Sequence, residues 1–256
     1  MKARETLHLL ILGGTAEARA LADAAHARFV ERLRVTTSLA GRTSAPKIPE
    51  GALRRGGFGG ATGLADYLGA AQVDLVIDAT HPFATQITAA AQTACRARNV
   101  PLLALARPRW RAQSDDRWIE VADAAEAASI LPKLGRRAFL TIGQRGIAAF
   151  APVSGVHFLV RLIEPPAAPL PLRSHEILLG RGPFTLEDER RIMQRHAIEV
   201  LIAKDSGGEA IAAKLEAARL LRIPVVMLRR PEHAPGAGAA STEDALRWIA
   251  AKLEDP

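Results

Sequence analysis

The chain has 256 residues, 48% hydrophobic and 24% charged, which is typical of a soluble globular protein with room for one large domain or two modest ones. No apolar run approaches the ~20 residues that a membrane span needs. The charged start (Lys2, Arg4, Glu5) leaves no room for a signal-peptide core. Cys95 is the one cysteine, which excludes an intramolecular disulfide, so we expect a cytoplasmic protein.

The net charge is +7, and it is carried by 28 arginines against 6 lysines. A GC-rich genome is one explanation of this bias. Ligand binding is another, because arginine forms paired hydrogen bonds with carboxylates and phosphates that lysine cannot reproduce. No zinc-finger, basic-zipper or aromatic RNA-binding pattern is present, and aromatic residues make up only 4% of the chain. The composition therefore favours a small polyanion over nucleic acid as ligand.

Short apolar segments alternate with alanine-rich helical patterns in the first half of the chain. Strands are predicted at residues 7–12, 33–38, 52–56, 73–79 and 100–106, with helices at 15–27, 62–70 and 84–98. This alternation predicts parallel strands joined by crossover helices that cover both faces of a sheet. The charged, proline-containing segment 107–118 interrupts the pattern and is the predicted domain junction.

The same pattern resumes after the junction. Helices are predicted at 122–134, from about 185, at 208–220 and at 242–253, and strands at 137–142, 156–163, about 176–180, 199–203 and 224–228. Thr185 is the predicted N-cap of the second helix, with Asp188 at its third position. The glycine-alanine segment 236–240 is interpreted as a linker. We therefore predict two Rossmann-like α/β domains with parallel sheets, at residues 1–110 and 111–256.

The segment LLILGGTAEARALA at residues 9–22 joins the first strand to the first helix through two glycines. It lacks the full GxGxxG pattern, and such a turn can be purely structural. Its position favours a nucleotide site, because the free N–H groups at a helix N-terminus bind phosphate. The Thr15 hydroxyl is expected to contribute. The candidate cofactor-binding residues of this turn are Gly13, Gly14, Thr15, Ala16 and Glu17.

The end of the second strand carries no acid. In a site for NAD, an Asp or Glu about 20 residues after the turn binds the ribose hydroxyls. Here the sequence VTTSLAGRT offers Ser38 and Arg42, and a hydroxyl with a guanidinium suits a ribose 2′-phosphate. An exposed polar loop is the alternative interpretation of Arg42. Together with the opening turn, this segment predicts NADPH as cofactor, with Ser38, Leu39, Ala40 and Arg42 as binding residues.

Two further strand ends fall at the same edge of the predicted sheet, where open α/β folds bind ligands. The cluster GGFGG at 56–60 would let a ligand approach the backbone closely, or it is a flexible turn. The motif DATHPFA at 78–84 ends the most apolar strand, and its His81 could bind cofactor, move a proton or be an ordinary loop residue. The candidate cofactor-binding residues here are Gly59, Gly60, Thr80, His81 and Pro82.

With GGTAEARALA, DATHPFA, LARPRW, LTIGQRG and KDSGG in this order, the sequence resembles the precorrin-6A reductase family (CobK/CbiJ) of cobalamin biosynthesis. DATHPFA and KDSGG are the more specific motifs. The resemblance implies two Rossmann-like domains with a ligand cleft between them and NADPH on the first. It also implies reduction of one double bond of precorrin-6A, a tetrapyrrole, to dihydro-precorrin-6 (precorrin-6B). Neighbouring pathway enzymes are further candidate partners, and a cobalt-containing precorrin-6A is the alternative substrate.

Cations at strand ends gain a role under this resemblance, because a corrin precursor carries acetate and propionate carboxylates. Arg107 could instead support the sheet edge, and Asp205 could form an ion pair or cap the following helix. No catalytic residue is assigned. The predicted substrate-binding residues are Arg19, Arg107, Trp110, Gln144, Arg145, Lys204, Asp205 and Ser206.

Two functions of other classes remain as alternatives. A non-enzymatic regulator could use an NADPH site as a redox sensor, but it would not need the GQRG and KDSGG loops of the second half. A nucleic-acid binder would suit the charge of +7 but lacks a recognition element. We expect no metal site, because the seven histidines show no paired spacing. Cys95 is interpreted as a small core residue within a helix.

Overall fold

The structure is a computed structural model that describes residues 6–41, 50–208, 211–232 and 237–254. The chain divides into two compact units. Unit 1 comprises residues 1–107 and 231–256, and unit 2 comprises residues 108–230. None of the described helices is long and apolar enough to cross a membrane.

The first half follows the predicted alternation of strand and helix. Its elements are β1 (Leu7–Leu12), α1 (Ala16–Arg28), β2 (Leu33–Leu39), β3 (Ala52–Arg55), α2 (Gly60–Ala70), β4 (Leu75–Asp78), α3 (Thr85–Arg98) and β5 (Leu102–Leu105). Residues from His8 to Leu12 are all buried, without the alternation of a half-exposed strand. Helices on both faces of the sheet require this pattern.

The described residues of the second half form further strands and helices, together with 3-10 segments at 131–133 and 144–150. The elements are β6 (Trp118–Val121), α4 (Ala124–Ile130), β7 (Arg137–Leu140), β8 (His157–Leu162), β9 (His175–Leu179), α5 (Leu186–Arg195), β10 (Val200–Lys204), α6 (Ala213–Leu220), β11 (Val225–Leu228), β12 (Ala237–Ala239) and α7 (Thr242–Glu254). The predicted cap of α5 is confirmed, because Thr185 and Asp188 each accept a hydrogen bond from the other's backbone N–H. The helix predicted at 208–220 starts only at residue 213, since Gly207 and Gly208 adopt positive φ angles of 66° and 86°.

Both sheets are parallel and share one strand order. The order is β12-β5-β4-β1-β2-β3 in unit 1 and β6-β11-β10-β7-β8-β9 in unit 2. If the strands of the first sheet are numbered from β1 as 1 to β12 as 6, their order in the sheet is 3-2-1-4-5-6. The second sheet has the same order if β7, β8, β9, β10, β11 and β6 are numbered 1 to 6. This is the order of Rossmann-like sheets. The predicted α/β fold class is confirmed.

The sixth strand of the sheet in unit 1 comes from the last part of the chain, after unit 2. β6 follows the last strand of the first half but pairs with β11 in unit 2, whereas β12 returns to pair with β5 in unit 1. The predicted domains 1–110 and 111–256 are therefore corrected: the boundary lies after residue 107, and the segment from 231 belongs to unit 1. β12 lies in the segment predicted as a linker, and β6 begins at the last residue of the predicted junction; neither was predicted as a strand. Strands of four and three residues are too short for a readable periodicity.

The sheet of unit 1 has an apolar cluster on each face. Leu9 and Ile11 face one cluster together with residues of α1 and α7, and Leu10 and Leu12 face the other with residues of α2 and α3. Alternate residues of a strand point to opposite faces, so β1 is anchored on both sides. The carboxyl ends of β1, β2, β4 and β5 consequently meet at one fixed edge of the sheet.

Candidate functional site

The turn after β1 is shaped by its two glycines. A Cβ on Gly13 would lie 3.0 Å from Thr37 Cγ2, so a larger residue would press on β2. Gly14 has a φ of 113°, a conformation that favours glycine, and no described heavy atom lies within 4 Å of the position of a Cβ there. The Gly13 N–H donates to the Ser38 carbonyl at 2.9 Å. The turn is therefore fixed to β2 on one side and open on the other.

Thr15 is the N-cap of α1. Its hydroxyl oxygen accepts a hydrogen bond from the Ala18 N–H at 3.0 Å and donates to the Ala79 carbonyl at 2.8 Å. The Thr15 hydroxyl thus joins the turn to the residue after β4, and its expected contribution to a ligand stays a prediction.

The first turn of α1 nevertheless offers hydrogen-bond donors. The backbone N–H groups of Gly14, Thr15, Ala16 and Glu17 donate to no described residue. They lie at the positive end of a helix of 13 residues. Unpaired N–H groups at such an end form a binding site for an anion.

The ends of β2 and β3 are joined through an arginine that the sequence reasoning missed. Ser38 is buried, and its hydroxyl accepts a hydrogen bond from Arg54 Nη1 at 3.3 Å. Arg54 also donates to the carbonyl oxygens of Gly56 and Gly57, at 2.6 and 2.9 Å. The sequence did contain a signal for this role of Arg54, because an arginine stands at the end of a predicted strand, just before the glycine cluster at 56–60. Arg42, the guanidinium predicted to accompany Ser38, lies outside the described residues.

The glycine cluster links the ends of β2 and β3 and opens α2. The Gly56 N–H donates to the carbonyl of the half-buried Leu39 at 2.9 Å, just before the exposed Ala40. Gly59 and Gly60 have φ angles of 79° and 93°, and no described atom would meet a Cβ at either. The backbone before α2 is therefore accessible to a ligand at the same edge of the sheet.

The motif after β4 is organised by a buried carboxylate. Asp78 accepts hydrogen bonds from the Thr80 N–H at 3.0 Å, the Thr80 hydroxyl at 2.6 Å and the Thr88 hydroxyl at 2.6 Å. His81 Nδ1 accepts a hydrogen bond from the Phe83 N–H at 3.2 Å. Through this contact His81 Nδ1 acts as an acceptor and holds the ring against the turn. Pro82, in the same turn, is buried.

A recess of ≈ 200 Å³, solvent included, lies at the ends of β1, β4 and β5 in unit 1. Within it, Glu17 Oε1 lies 3.2 Å from Arg107 Nη1. The other oxygen of Glu17 is buried without a hydrogen-bond partner among the described residues. The structure thus places Arg107 beside the cofactor candidates. The recess is lined by Thr15, Glu17, Ala79, Thr80, Pro82, Leu105, Ala106 and Arg107.

Asp205 in unit 2 anchors the segment that follows the boundary. Its carboxylate accepts a hydrogen bond from the Trp110 N–H at 3.2 Å and lies 3.8 Å from Arg109 Nε. The indole N–H of Trp110 donates to the Gly208 carbonyl at 3.0 Å. The ion pair expected for Asp205 is therefore found with Arg109, whereas the expected helix cap is wrong because α6 starts eight residues later, at Ala213.

The KDSGG loop packs tightly at Gly207. A Cβ there would lie 2.1 Å from the carbonyl oxygen of Pro108, so only glycine fits. The preceding Ser206 is buried. These contacts fix the loop at the end of β10.

Lys204 and Arg145 are brought together at the ends of adjacent strands, β10 and β7. Burial lowers the pKa of Lys204, and the Arg145 guanidinium lowers it further. Gln144 and Arg145 are exposed and follow Gly143, which has a φ of 72° and no described atom near its Cβ position. Two cations at neighbouring strand ends, one of them with a lowered pKa, make this end of the sheet a candidate anion site.

Two predicted residues lie apart from these groups. Arg19 is half-exposed on α1, and its side chain makes no hydrogen bond or ion pair with a described residue. Cys95 is buried in α3, where burial, and secondarily Asp78, raises the pKa of its thiol to about 12. The interpretation of Cys95 as a core residue is confirmed. Within the described ranges, no three His, Cys, Asp or Glu side chains are grouped as metal ligands.

Comparison with known proteins gives matches along almost the whole chain. The family model of the precorrin-6x reductases CbiJ/CobK matches residues 8–250. The precorrin-6A reductase of Rhodococcus erythropolis is 49% identical over 245 residues, which cover 94% of this chain and 96% of that protein. A solved structure of CobK precorrin-6A reductase matches with a TM-score of 0.90 and 41% identity, covering 96% of this chain and 97% of the other. The cobalt-precorrin-6A reductase of Priestia megaterium is 26% identical over 255 residues, covering 94% and 97%.

Fold and site together define a protein of two Rossmann-like α/β units with candidate anion sites at the carboxyl edges of the sheets. The family model, which matches residues 8–250, adds the class of function to this description of the fold. The chain belongs to the precorrin-6x reductase family CbiJ/CobK. It is therefore an oxidoreductase of cobalamin biosynthesis.

Proposed function

We propose that the chain reduces one double bond of precorrin-6A with NADPH and releases precorrin-6B. The observation that carries this proposal is the open Gly13–Gly14 turn with its unpaired N–H groups, next to a β2 end that has no acid. The similarity to precorrin-6A reductases, at 41–49% identity, supports the substrate. When bound, NADPH supplies a hydride, and one proton from the solvent or an acid completes the reduction.

The residues of unit 1 fit a dinucleotide at four strand ends. The N–H groups of Gly14, Ala16 and Glu17 would bind the pyrophosphate, since they lie at the N-terminus of α1 and donate to no described residue. His81, in the turn after β4, is a further proposed contact of the cofactor. The remaining proposed contacts are backbone or lining groups of Gly13, Thr15, Ser38, Leu39, Ala40, Gly59, Gly60, Thr80 and Pro82.

The strand ends of unit 2 would bind carboxylates of the substrate. Arg145 and Lys204 supply the charge, and a bound carboxylate would offset their mutual repulsion. Gln144 and Ser206 are neighbouring polar groups on the same two loops. The cobalt-free macrocycle is the proposed substrate, supported by 49% identity to a precorrin-6A reductase against 26% to a cobalt-precorrin-6A reductase.

The test is an anaerobic assay of the purified chain with either macrocycle and either nicotinamide cofactor. We expect the absorbance of the reduced nicotinamide to fall with NADPH and precorrin-6A. NADH should be used poorly, and so should the cobalt-containing macrocycle. Equal rates with NADH would refute the cofactor assignment. Tight NADPH binding without oxidation by either macrocycle would instead favour the redox-sensing regulator.

A further inference from the structure

The KDSGG loop at residues 204–208 does not fix its own conformation. Gly207 and Gly208 have φ angles of 66° and 86°, and glycine is the residue with the greatest backbone freedom. The Ser206 N–H donates to the Lys204 carbonyl at 2.7 Å, which closes one tight turn, but the helix that follows starts only at residue 213. The conformation of the loop therefore depends on contacts with other segments.

The segment after the unit boundary supplies these contacts through Trp110. The backbone N–H of Trp110 donates to Asp205 Oδ1 at 3.2 Å, and its indole N–H donates to the Gly208 carbonyl at 3.0 Å. Between these two points, a Cβ on Gly207 would lie 2.1 Å from the Pro108 carbonyl oxygen, so the loop backbone lies directly against the segment. One residue thus holds both the start and the end of the loop.

The polar groups of Asp205 are engaged within unit 2. Its N–H donates to the Leu228 carbonyl at 2.9 Å, and its carbonyl accepts a hydrogen bond from Arg230 Nε at 3.2 Å. Its carboxylate accepts from the Trp110 N–H and lies 3.8 Å from Arg109 Nε, and the side chain is only 11% exposed. A carboxylate would also repel the carboxylates of the proposed substrate. Asp205 is therefore suited to hold the loop and not to bind the macrocycle.

The loop held in this way offers hydrogen-bond donors beside Lys204. The backbone N–H groups of Gly207 and Gly208 donate to no described residue. Successive N–H groups in such a turn bind anions. We infer that Trp110 and Asp205 are positioning residues, which touch no substrate atom but hold the loop so that these N–H groups and Lys204 bind a carboxylate of the macrocycle. The inference rests on the proposed substrate.

The first experiment compares two substitutions of Asp205 in anaerobic assays with NADPH and precorrin-6A. Asp205→Ala removes the acceptor of the Trp110 N–H and should raise KM for the macrocycle about 5- to 30-fold, with kcat changed less than about twofold. Asp205→Asn keeps an oxygen acceptor and should stay within about threefold of the unmodified chain, because the half-exposed Arg109 is screened by water. If Asp205 donated the proton of the reduction, Asp205→Asn would lose turnover instead.

Trp110→Phe tests the other end of the loop. It keeps the ring position and the backbone N–H but removes the indole donor of the Gly208 carbonyl, so KM for the macrocycle should rise about 3- to 10-fold. Trp118→Phe is the matched control. The indole nitrogen of Trp118 is also buried in unit 2 but has no hydrogen-bond partner among the described residues, so both kinetic constants should stay unchanged.

A second measurement needs no macrocycle. Hydrogen exchange of the unliganded chain is followed by mass spectrometry in peptides that span residues 204–208. Exchange there should be faster in Asp205→Ala and Trp110→Phe and unchanged in Asp205→Asn and Trp118→Phe. Peptides from β1 and α1 should exchange as in the unmodified chain in all four variants, and calorimetric affinity for NADP⁺ should stay within about twofold, which shows that unit 1 is folded.

The outcomes separate positioning from other roles. Asp205→Asn as impaired as Asp205→Ala would overturn the inference, because the charge and not the hydrogen bond would then matter. A fall in kcat at unchanged KM would also overturn it, and so would unchanged loop exchange in both Asp205→Ala and Trp110→Phe. If the unmodified chain did not turn over precorrin-6A while loop exchange responded as expected, the proposed function would fail rather than the positioning role.

Discussion

Glu17 and Arg107 form an ion pair of 3.2 Å at the first turn of α1, beside the unpaired N–H groups that would bind phosphate. The Arg107 side chain is 15% exposed and that of Glu17 29%, so solvent screens the pair only partly. A carboxylate at an anion site repels the anion unless a cation neutralises it. Arg107 therefore offsets the charge of Glu17 where the cofactor phosphates would lie. This differs from the contact with substrate that the sequence suggested for Arg107.

The first prediction concerns this pair. Arg107→Met should weaken NADPH binding by about 1–3 kcal/mol, because it leaves the Glu17 carboxylate uncompensated. The double variant Glu17→Gln/Arg107→Met should recover part of the loss, since the repulsive charge is then gone. Calorimetric titration with NADPH gives the affinities, and thermal melts separate folding from binding. A double variant no better than Arg107→Met would show that Arg107 acts by another route.

The second prediction concerns stability at Lys204. The pKa of Lys204 in the folded chain is lowered from its ordinary value of 10.5, mainly by burial and further by Arg145. Below the folded pKa the charged form thus destabilises the fold, and stability rises with pH between the folded pKa and 10.5. Lys204→Met should therefore raise the melting temperature at neutral pH while it weakens macrocycle binding. A lower melting temperature would mean that the contacts of Lys204 stabilise the fold more than its burial opposes it.

The third prediction concerns the pH dependence of macrocycle binding. Because the pKa of Lys204 is lowered, its charge is lost on the alkaline side at a pH below 10.5, and the affinity for the macrocycle should fall there. Arg145→Met removes the nearby cation and should move this fall to higher pH. Lys204→Arg should abolish it, because arginine stays charged throughout. Fluorescence titrations across neutral to alkaline pH provide the curves, and an unchanged curve for Lys204→Arg would exclude Lys204 as the titrating group.

The fourth prediction tests a buried ion pair that supports unit 2. Arg161 of β8 donates two hydrogen bonds of 2.7 Å to Glu189 of α5, and the side chains are only 9% and 3% exposed. Arg161→Met should lower the free energy of unfolding of unit 2 by about 3–5 kcal/mol, because it leaves the buried Glu189 carboxylate without a compensating charge. Arg161→Met/Glu189→Leu should recover much of this. The midpoint of urea unfolding measures both.

A surface variant on the same helix is the control for that pair. Arg191 lies 3.8 Å from Glu187, and both side chains are mostly exposed. Arg191→Ala should change stability by less than about 1 kcal/mol, because water screens such pairs. A similar loss for Arg191→Ala and Arg161→Met would contradict the distinction between them.

The sequence predicted the parts of the fold that depend on local patterns. The apolar run of β1, the glycine turn and the capping box at Thr185 and Asp188 each lie within a few residues, so their signals are readable. Contacts between distant residues were not readable. The Thr15 hydroxyl donates to the Ala79 carbonyl, which is 64 positions away, and no pattern near either residue indicates this contact. β12 is another example. Its three residues carry no strand pattern of their own, and they form a strand because they pair with the edge of β5, more than 130 residues earlier in the chain.

The fifth prediction tests the return of the chain end to unit 1. Ile249 of α7 is fully buried in the same cluster as Leu21 of α1 and Leu103 of β5. Ile249→Ala should destabilise unit 1 by about 2–5 kcal/mol, because it leaves a cavity among these side chains. Hydrogen exchange followed by mass spectrometry should show faster exchange in peptides from α1 and β5 and unchanged exchange in those from β7 and β10. Arg247→Ala, on the exposed face of the same helix, is the control and should leave both unchanged. Faster exchange confined to β7 and β10 would mean that α7 stabilises unit 2 instead.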